Sequence, residues 1–407
     1  MDWNPSATLI AVLAAFIASM ILTLAVRSAA RRFGVLAHPD SVRRFHDQPV
    51  PLLGGTAVYA ALVFGLAVAL LLQTSKSSDL AAFCWAFLPA TGMACFFGAL
   101  DDCRNLSPRM KLLLQLCSVA PVVAAGYRIE DIVVFHYRIE LHGLGIPITI
   151  LWLLGCINAL NLIDGMDGLA SVVGVSTATM MGIIALNLGN GYVATTAFIL
   201  AGALLAFLIF NLPPASIFLG DSGSTMIGLV VGILGIQARM KSSATLAITA
   251  PAVIMILPLF DVLMAVVRRK LTGRRLDVGD REHIHHRLLD RGLGHWQVLG
   301  IVGSLCLTTG AAATAATFFR TDAVAWITAT TLIVLMIRLR VFGHHEFGLV
   351  RGAIRRRLSA LGHWILLREP QSLPSEQDST SHAFGLDDAT TDADQKDTQD
   401  RRARKAA

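Results

Sequence analysis

The stretch "ATLIAVLAAFIASMILTLAV", residues 7–26, carries no charged side chain. A helix of this length spans the hydrocarbon core of a membrane, which is roughly 30 Å thick. Similar apolar runs recur as far as residue 342, and none alternates with the period of two that is typical of a barrel strand. The chain is 54% hydrophobic and only 15% charged, whereas an ordinary soluble domain is about 25% charged. The sequence therefore predicts an all-α membrane protein with many spans.

The predicted spans number about eleven, and all of them lie before residue 343. They cover residues 7–26, 53–72, 81–100, 109–126, 146–163, 168–187, 193–210, 225–240, 246–267, 297–318 and 323–342. The segment 127–145 alternates β-branched residues around a short turn, which predicts a small extracytoplasmic β-hairpin. We interpret residues 1–342 as one integral membrane domain, 343–366 as a basic juxtamembrane segment and 367–407 as a disordered polar cytoplasmic tail.

The distribution of basic residues predicts the side of the membrane on which each loop lies. Arg27, Arg31 and Arg32 follow the first span, and no basic residue precedes it. The positive-inside rule therefore places the N-terminus outside and, after eleven spans, the C-terminus inside. With this topology the inside loops before the tail carry 16 Lys and Arg residues and the outside loops carry six. The membrane is then an inner or plasma membrane, with the cytoplasm on the basic side.

Polar residues interrupt the apolar pattern mainly at the inside-facing ends of the spans, where ionisable groups are costly and are functional candidates. Four motifs supply them: "LDDCRNLSPRMKLLLQ", "NALNLIDGMDGLA", "FLGDSGS" and "HIHHRLLDRGLGHWQV". The candidates are Asp101, Asp102, Lys111, Asn158, Asn161, Asp164, Asp167, Asp221, His283, His285, His286 and Arg287. A channel or transporter would need polar groups near the midplane instead. The pattern predicts a surface site for a water-soluble polar molecule.

Asp221 follows Gly220 at the start of a predicted helix, among small residues. A helix N-terminus with unpaired amides suits an anion, but an aspartate there would repel a bare phosphate. The conflict disappears if Asp221 holds a divalent cation that bridges to phosphates, an arrangement that magnesium prefers. Phosphoryl transfer is the chemistry that this pattern favours. The simpler alternative is that Asp221 only caps the helix.

The other motifs also have simpler interpretations. The Asp101–Asp102 pair could be solvated loop charges, and Asn158 and Asn161 could serve only to join helices. The histidine motif could bind zinc, although no fourth ligand stands at the usual spacing. All four motifs are predicted to lie on one side of the membrane, and this favours one shared site over four separate explanations.

In this order, the four motifs resemble those of the polyprenyl-phosphate N-acetylhexosamine-1-phosphate transferases, of the glycosyltransferase 4 type. The resemblance covers about residues 1–340, and the last motif is similar to the undecaprenyl-phosphate α-N-acetylglucosaminyl 1-phosphate transferase branch. It implies that undecaprenyl phosphate attacks the β-phosphorus of UDP-N-acetylglucosamine at the cytoplasmic face and that UMP leaves. Alternatives are another UDP-N-acetylhexosamine, the muramyl-pentapeptide precursor or, outside the enzymes, a lipid or ion transporter.

The resemblance also implies roles for individual residues. Asp221 and Asn161 are similar to ligands of Mg²⁺, or of Mn²⁺, and Asp167 to a uracil contact. Catalytic positions correspond to Asp101, Asp102, Asp164 and the phosphate-binding Lys111, and only one of the adjacent aspartates is expected to face the reaction. Substrate-binding positions correspond to Asp167, Asn158, His283, His285, His286 and Arg287. The implied partners are UDP-N-acetylglucosamine, undecaprenyl phosphate and membrane lipids, without nucleic acid; a homodimer is compatible with the sequence.

Overall fold

The structure is a computed structural model. It describes residues 3–37, 49–72, 77–134, 137–240, 249–273, 282–321, 323–340 and 347–352, together with 355 and 359. The helices are α1 Pro5–Phe33, α2 Gly54–Leu72, α3 Ser77–Arg104, α4 Pro108–Ala124, α5 Gly145–Ile163, α6 Leu169–Asn187, α7 Gly191–Asn211, α8 Gly220–Met240, α9 Thr249–Ile254, α10 Ile256–Leu271, α11 Ile284–Leu289, α12 His295–Phe319 and α13 Ala323–Arg338. Four short strands are β1 Leu36–Ala37, β2 Val50–Pro51, β3 Asp131–Val134 and β4 Tyr137–Glu140.

Eight helices of the described residues are long and apolar enough to cross a membrane, namely α1, α2, α3, α5, α6, α7, α8 and α12. A shorter apolar helix, α13, matches another predicted span. The two remaining predicted spans correspond to α4, which has 17 residues, and to the pair α9 and α10. The prediction of a helical protein with many membrane spans is confirmed. The count of eleven spans stays a prediction.

The predicted span 246–267 is divided at Met255, which separates α9 from α10. The physical reason lies in Pro258. Proline has no N–H, so it cannot donate to the carbonyl of Ile254, four residues earlier, where α9 ends. The chain restarts as α10 directly afterwards, with the amide of Leu259 bonded to the carbonyl of Met255 at 2.9 Å.

Helix α8 lies at the centre of the helical domain and packs against α2, α3, α5, α6 and α7. Glycines allow its neighbours to approach its backbone closely. A Cβ at Gly98 of α3 would lie 2.3 Å from the carbonyl oxygen of Asp221, and one at Gly55 of α2 would lie 2.0 Å from the amide of Gly223. Small residues permit such approach between membrane helices. As a result, the first turn of α8 is enclosed by α2 and α3.

The predicted hairpin is confirmed within 127–145, where β3 and β4 pair antiparallel with Asp131 opposite Glu140. A second pair, β1 with β2, was not predicted and has only two residues in each strand. It continues into the segment before α8, because the amide of Phe218 donates to the carbonyl of Pro51 at 2.8 Å. The start of α8 is therefore attached to the start of α2.

The domain boundaries stay predictions. Contacts group Met1–Ile354 as one compact unit. Of the juxtamembrane segment 343–366, the structure describes only 347–352, which are helical, and residues 355 and 359; the tail 367–407 lies outside the described residues.

Candidate active site

An open cavity lies between α3, α4, α5 and α8, with about 400 Å³ of empty space that includes the solvent at its mouth. Its charged and amide side chains, here called the polar wall, are Asp101, Lys111, Gln115, Asn161 and Asp221. The rest of its lining is Ala94, Phe97, Gly98, Leu106, Leu114, Ser118, Ile157 and Thr225. Charged groups and a mainly apolar wall therefore share one cavity.

Lys111 forms ion pairs with two carboxylates of the polar wall. Its ammonium contacts Asp101 and lies 2.9 Å from Asp221 Oδ2. Ser107 caps α4 and Pro108 occupies its first turn, which suits proline because the missing N–H would be unpaired there. Lys111 consequently sits at the beginning of α4, facing the ends of α3 and α8. Two carboxylates against one ammonium leave this group with a net negative charge.

Asp221 has a partner for each of its carboxylate oxygens. While Oδ2 faces Lys111, Oδ1 accepts a hydrogen bond of 2.7 Å from Asn161 Nδ2, which also lies 3.1 Å from Ser224 Oγ. The side chain of Asp221 thus joins α4, α5 and α8. The alternative that it serves only as a helix cap does not describe this geometry.

The cap of α8 comes from Asp102 instead. Its carboxylate accepts hydrogen bonds from the backbone amides of Asp221, at 2.8 Å, and Ser222, at 3.1 Å. Gly220 makes room for it: its φ is +73°, and a Cβ there would lie 2.5 Å from Asp102 Oδ2. The amides of Asp221 and Ser222 are therefore not unpaired at this helix N-terminus, because the carboxylate of Asp102 already binds them.

Asp101 and Asp102 consequently have different surroundings. Asp101 lines the cavity, whereas Asp102 is not part of its lining. Asp101 also accepts a hydrogen bond of 2.8 Å from the amide of Leu106, which holds the turn between α3 and α4. Adjacent residues of a helix point in different directions, and here one carboxylate faces the cavity while the other faces α8.

Asn158 lies one turn before Asn161 on α5 but bonds to α4. Its Nδ2 donates to Gln115 Oε1 at 3.0 Å and to the carbonyl of Leu154 at 2.8 Å. Gln115 lines the cavity, and Asn158 does not. Asn158 therefore holds Gln115 at the wall.

Asp164 and Asp167 lie in the connection from α5 to α6. Asp164 is the C-cap residue of α5 and is half-buried. Asp167 is buried, and its Oδ2 accepts a hydrogen bond of 2.9 Å from the amide of Ala215 in the loop before α8. The structure thus uses Asp167 to join two loops, and its contact with uracil stays a prediction.

The three histidines of the last motif form one cluster. His283 is the N-cap residue of α11. Its ring lies within 6° of parallel to that of His285, with 6.2 Å between centroids, and the rings of His285 and His286 are 4.2 Å apart. Among the described residues, no group of three or more His, Cys, Asp or Glu side chains has the arrangement to hold a metal ion.

His285 is the most enclosed of the three, with 1% of its surface exposed. Within the described part of the chain, neither ring nitrogen has a hydrogen-bond partner. Burial, together with the neighbouring rings of His286 and His283, holds the pKa of His285 well below its usual range. Its Nε2 lies against Gly165, where a Cβ would come within 2.5 Å. Gly165 lies just beyond the end of α5, and Asn161 lies in the last turn of that helix. This end of α5 therefore contacts both His285 and Asp221.

Arg287 is held beside these histidines through Glu282. Its guanidinium lies 2.7 Å from Glu282 Oε2, and Arg268 of α10 lies 3.9 Å from the same oxygen. The ion pairs connect α10 to α11 and keep two cations near the cluster.

The sequence analysis missed Asp261, which lies 3.0 Å from His283 Nδ1 and is buried. A signal for it was present, since a carboxylate inside the predicted span 246–267 is itself a functional candidate. It also missed Glu282, whose polar side chain is ordinary in a loop.

Comparison with known proteins decides the family. Residues 84–239 match the profile described as "Glycosyl transferase family 4". The "Probable undecaprenyl-phosphate N-acetylglucosaminyl 1-phosphate transferase" of Bacillus subtilis is 33% identical over 296 residues, which cover 70% of this chain and 80% of that protein. This chain belongs to glycosyl transferase family 4. The predicted membership is confirmed, and the chain is a phosphoglycosyl transferase.

Other relatives of this family 4 enzyme differ in the lipid that their names give. The "Decaprenyl-phosphate N-acetylglucosaminephosphotransferase" of Mycolicibacterium smegmatis is 32% identical over 303 residues, 66% of this chain and 72% of that protein. The "Undecaprenyl-phosphate alpha-N-acetylglucosaminyl 1-phosphate transferase" of Escherichia coli is 26% identical over 295 residues, 70% and 78% of the two chains. The chain therefore stands among the polyprenyl-phosphate N-acetylglucosamine-1-phosphate transferases.

Proposed function

We propose that this enzyme transfers N-acetylglucosamine 1-phosphate from UDP-N-acetylglucosamine to undecaprenyl phosphate. The products are UMP and a lipid-linked pyrophosphoryl sugar, which initiates a cell-envelope polysaccharide. The observation that carries the proposal is the group of Lys111, Asp101, Asp221 and Asn161 at the polar wall of a mainly apolar cavity. This arrangement suits an acceptor such as a polyprenyl phosphate, whose phosphate would face the polar wall and whose hydrocarbon chain would face the apolar lining. The names of the Bacillus subtilis and Escherichia coli relatives support the choice of undecaprenyl phosphate.

The oxygen donors of this group fit a magnesium ion, with Asp221 and Asn161 as the residues that would hold it. Magnesium prefers one or two carboxylates together with substrate phosphates, and manganese accepts the same hard ligands. Asp101 and Asp221 carry two negative charges against the one positive charge of Lys111, which leaves a deficit that a cation would fill. Asn161 now turns its amide nitrogen towards Asp221, so the amide has to rotate before its oxygen reaches a cation. Bound magnesium would neutralise charge on the donor diphosphate.

The chain's own residues then position the two phosphates. Lys111 binds phosphate oxygens as a point charge at the start of α4. Asp101 holds Lys111 and faces the reacting groups, while Asp102 fixes the helix that carries Asp221. An oxygen of undecaprenyl phosphate forms a bond to the β-phosphorus, and the bond from that phosphorus to the bridging oxygen breaks, so that UMP leaves with the electron pair. The acceptor phosphate is largely ionised at neutral pH, so positioning and charge neutralisation are the main contributions.

The donor is proposed to lie between the α5–α6 connection and α11. Asp167, with Asp164 nearby, would contact uracil, and His283, His285, His286 and Arg287 would lie along the diphosphate. Support comes from His285, a buried imidazole without a hydrogen-bond partner among the described residues. A buried polar group of this kind is costly unless a ligand satisfies it.

We also propose that eleven spans cross the plasma membrane, with the N-terminus outside and the site at the cytoplasmic face. This count requires α4, the α9–α10 pair and α13 to cross as well. The excess of basic residues in the loops around the site supports the orientation.

The proposal is tested by assaying UMP release from purified protein in detergent, with magnesium and a panel of UDP-sugars. Undecaprenyl phosphate and decaprenyl phosphate are compared as acceptors. We expect release to be fastest with UDP-N-acetylglucosamine and undecaprenyl phosphate. Faster UMP release with UDP-N-acetylgalactosamine would show that the proposed sugar is wrong. Faster release with decaprenyl phosphate would show that the proposed lipid carrier is wrong. Lipid flux in proteoliposomes without UMP release would favour a transporter.

A further inference from the structure

Asp261 is a carboxylate buried on α10, with 1% of its surface exposed. Its Oδ2 lies 3.0 Å from Nδ1 of His283, which is 4% exposed. A carboxylate in such surroundings is costly unless a partner compensates it. The structure supplies that partner from another helix, 22 residues later in the chain.

This contact is the first of a series that leads to the proposed donor site. His283 opens α11 as its N-cap residue, and its ring is nearly parallel to that of His285. His285 in turn lies against Gly165 in the α5–α6 connection. The direction of the His283 ring therefore affects the packing of the next imidazole.

A second contact ties the same two helices. Arg268 is also on α10, seven residues after Asp261, and therefore lies about two turns along a similar face. It reaches Glu282, which pairs with Arg287 of α11. Because this second tie holds α11 in place, loss of the Asp261 carboxylate should disturb the His283 ring more than the position of the helix.

We propose that Asp261 is a positioning residue for donor binding. Its carboxylate accepts the Nδ1–H hydrogen bond of His283 and fixes the ring direction, so that the imidazolium form, which the negative charge of the diphosphate favours, donates from Nε2–H to a diphosphate oxygen. An imidazolium donates from both ring nitrogens, so Nδ1–H can point to Asp261 while Nε2–H points to the donor. The inference rests on the proposed function, because it takes the donor to be a UDP-sugar bound at the histidines.

The test compares Asp261→Leu with Asp261→Asn in the UMP-release assay. Leucine removes the acceptor, and we expect the KM for UDP-N-acetylglucosamine to rise by roughly 10–100-fold, by analogy with a lost carboxylate behind a metal-binding histidine. Asparagine keeps an oxygen that can accept from Nδ1, and should restore the KM to within about threefold of wild type. The KM for undecaprenyl phosphate should not change in either variant. A lower melting temperature with unchanged KM values would show a merely structural role and overturn the inference.

A double-mutant cycle gives a second criterion. If Asp261 acts through His283, adding Asp261→Leu to His283→Gln should change the donor KM by less than about twofold, whereas independent effects would multiply. A donor KM of the double variant that equals the product of the two single effects would overturn the inference.

If Asp261→Leu does not fold, Asp261→Ser replaces it, since serine is too short to reach Nδ1 of His283. A wild-type enzyme that releases no UMP from UDP-N-acetylglucosamine would refute the proposed function itself, whereas an active wild type with unaffected variants refutes only the role of Asp261.

Discussion

Asp102 Oδ1 accepts a hydrogen bond of 2.8 Å from the backbone amide of Asp221, so the cap of α8 directly contacts the proposed magnesium ligand. The neighbouring Asp101 instead pairs with Lys111 inside the cavity. Two adjacent carboxylates therefore have separate tasks. One holds the helix that carries Asp221, and the other faces the cavity.

For this reason, Asp102→Asn should be milder than Asp102→Ala. Asparagine keeps one acceptor oxygen for the first turn of α8, whereas alanine removes both and should lower stability by about 1 kcal/mol or more. Both variants should need more magnesium for half-maximal UMP release, because Asp221 is displaced. If Asp102 took a proton from the acceptor instead, asparagine would abolish activity as fully as alanine and leave the magnesium requirement of any residual activity unchanged.

Gly220→Ala should damage both stability and activity. The left-handed backbone of Gly220 already disfavours alanine by about 1 kcal/mol, and the new Cβ would also meet the carboxylate of Asp102 at 2.5 Å. Gly126 is a matched control, because its φ is +84° and no atom lies within 4 Å of an added Cβ. Melting temperature and UMP release should fall further in Gly220→Ala than in Gly126→Ala. Equal losses in the two variants would mean that the contact with Asp102 has no effect.

Asp221→Asn should lower activity by orders of magnitude while the protein stays folded. The amide keeps the size of the side chain but loses the charge that would hold a divalent cation, so extra magnesium should restore activity only in part. The measurement is a magnesium titration of UMP release, with Asp131→Asn in the hairpin as a control that also removes a paired carboxylate. Near-normal activity at ordinary magnesium would end the metal-ligand proposal.

Because of His285, the free energy of unfolding should decrease at acidic pH. Its pKa is well below the usual value in the folded protein and about 6.5 in the unfolded chain. Below about pH 6.5 the unfolded chain therefore binds more protons, and stability decreases as the pH falls. The stability advantage of the wild type over His285→Gln should shrink from pH 7.5 to pH 5. A stability difference between wild type and His285→Gln that stays constant from pH 7.5 to pH 5 would contradict this prediction.

The orientation of the chain is testable by labelling whole cells with a membrane-impermeant maleimide. In a background without the six native cysteines, Tyr137→Cys in the hairpin should react and Asp290→Cys after α11 should not, although both positions are exposed. Permeabilised cells provide the control, in which both should react. The reverse pattern would place the site on the outer face.

Much of this arrangement was predictable because charged and amide side chains stand out in an apolar chain. Asp101, Lys111, Asn161 and Asp221 were all found in this way, and the structure brings them together. The division of tasks between Asp101 and Asp102 was not predictable, since it depends on the rotation of α3 against α8. The contact between Asp261 and His283 depends equally on packing, and the break at Met255 was missed although Pro258 indicated it.

Helix α8 is the most buried of the eight candidate spans, with 94% of an 18-residue stretch buried, and it is also the least apolar of them. Such a segment gains little by entering lipid alone. Its stability in the bilayer has to come from the neighbours that approach it through Gly55 and Gly98. Helices α2 and α3 are both synthesised before α8. During biosynthesis, the helix that carries Asp221 thus leaves the ribosome when these partners can already be in the membrane, and the order of the chain provides the surroundings that its composition requires.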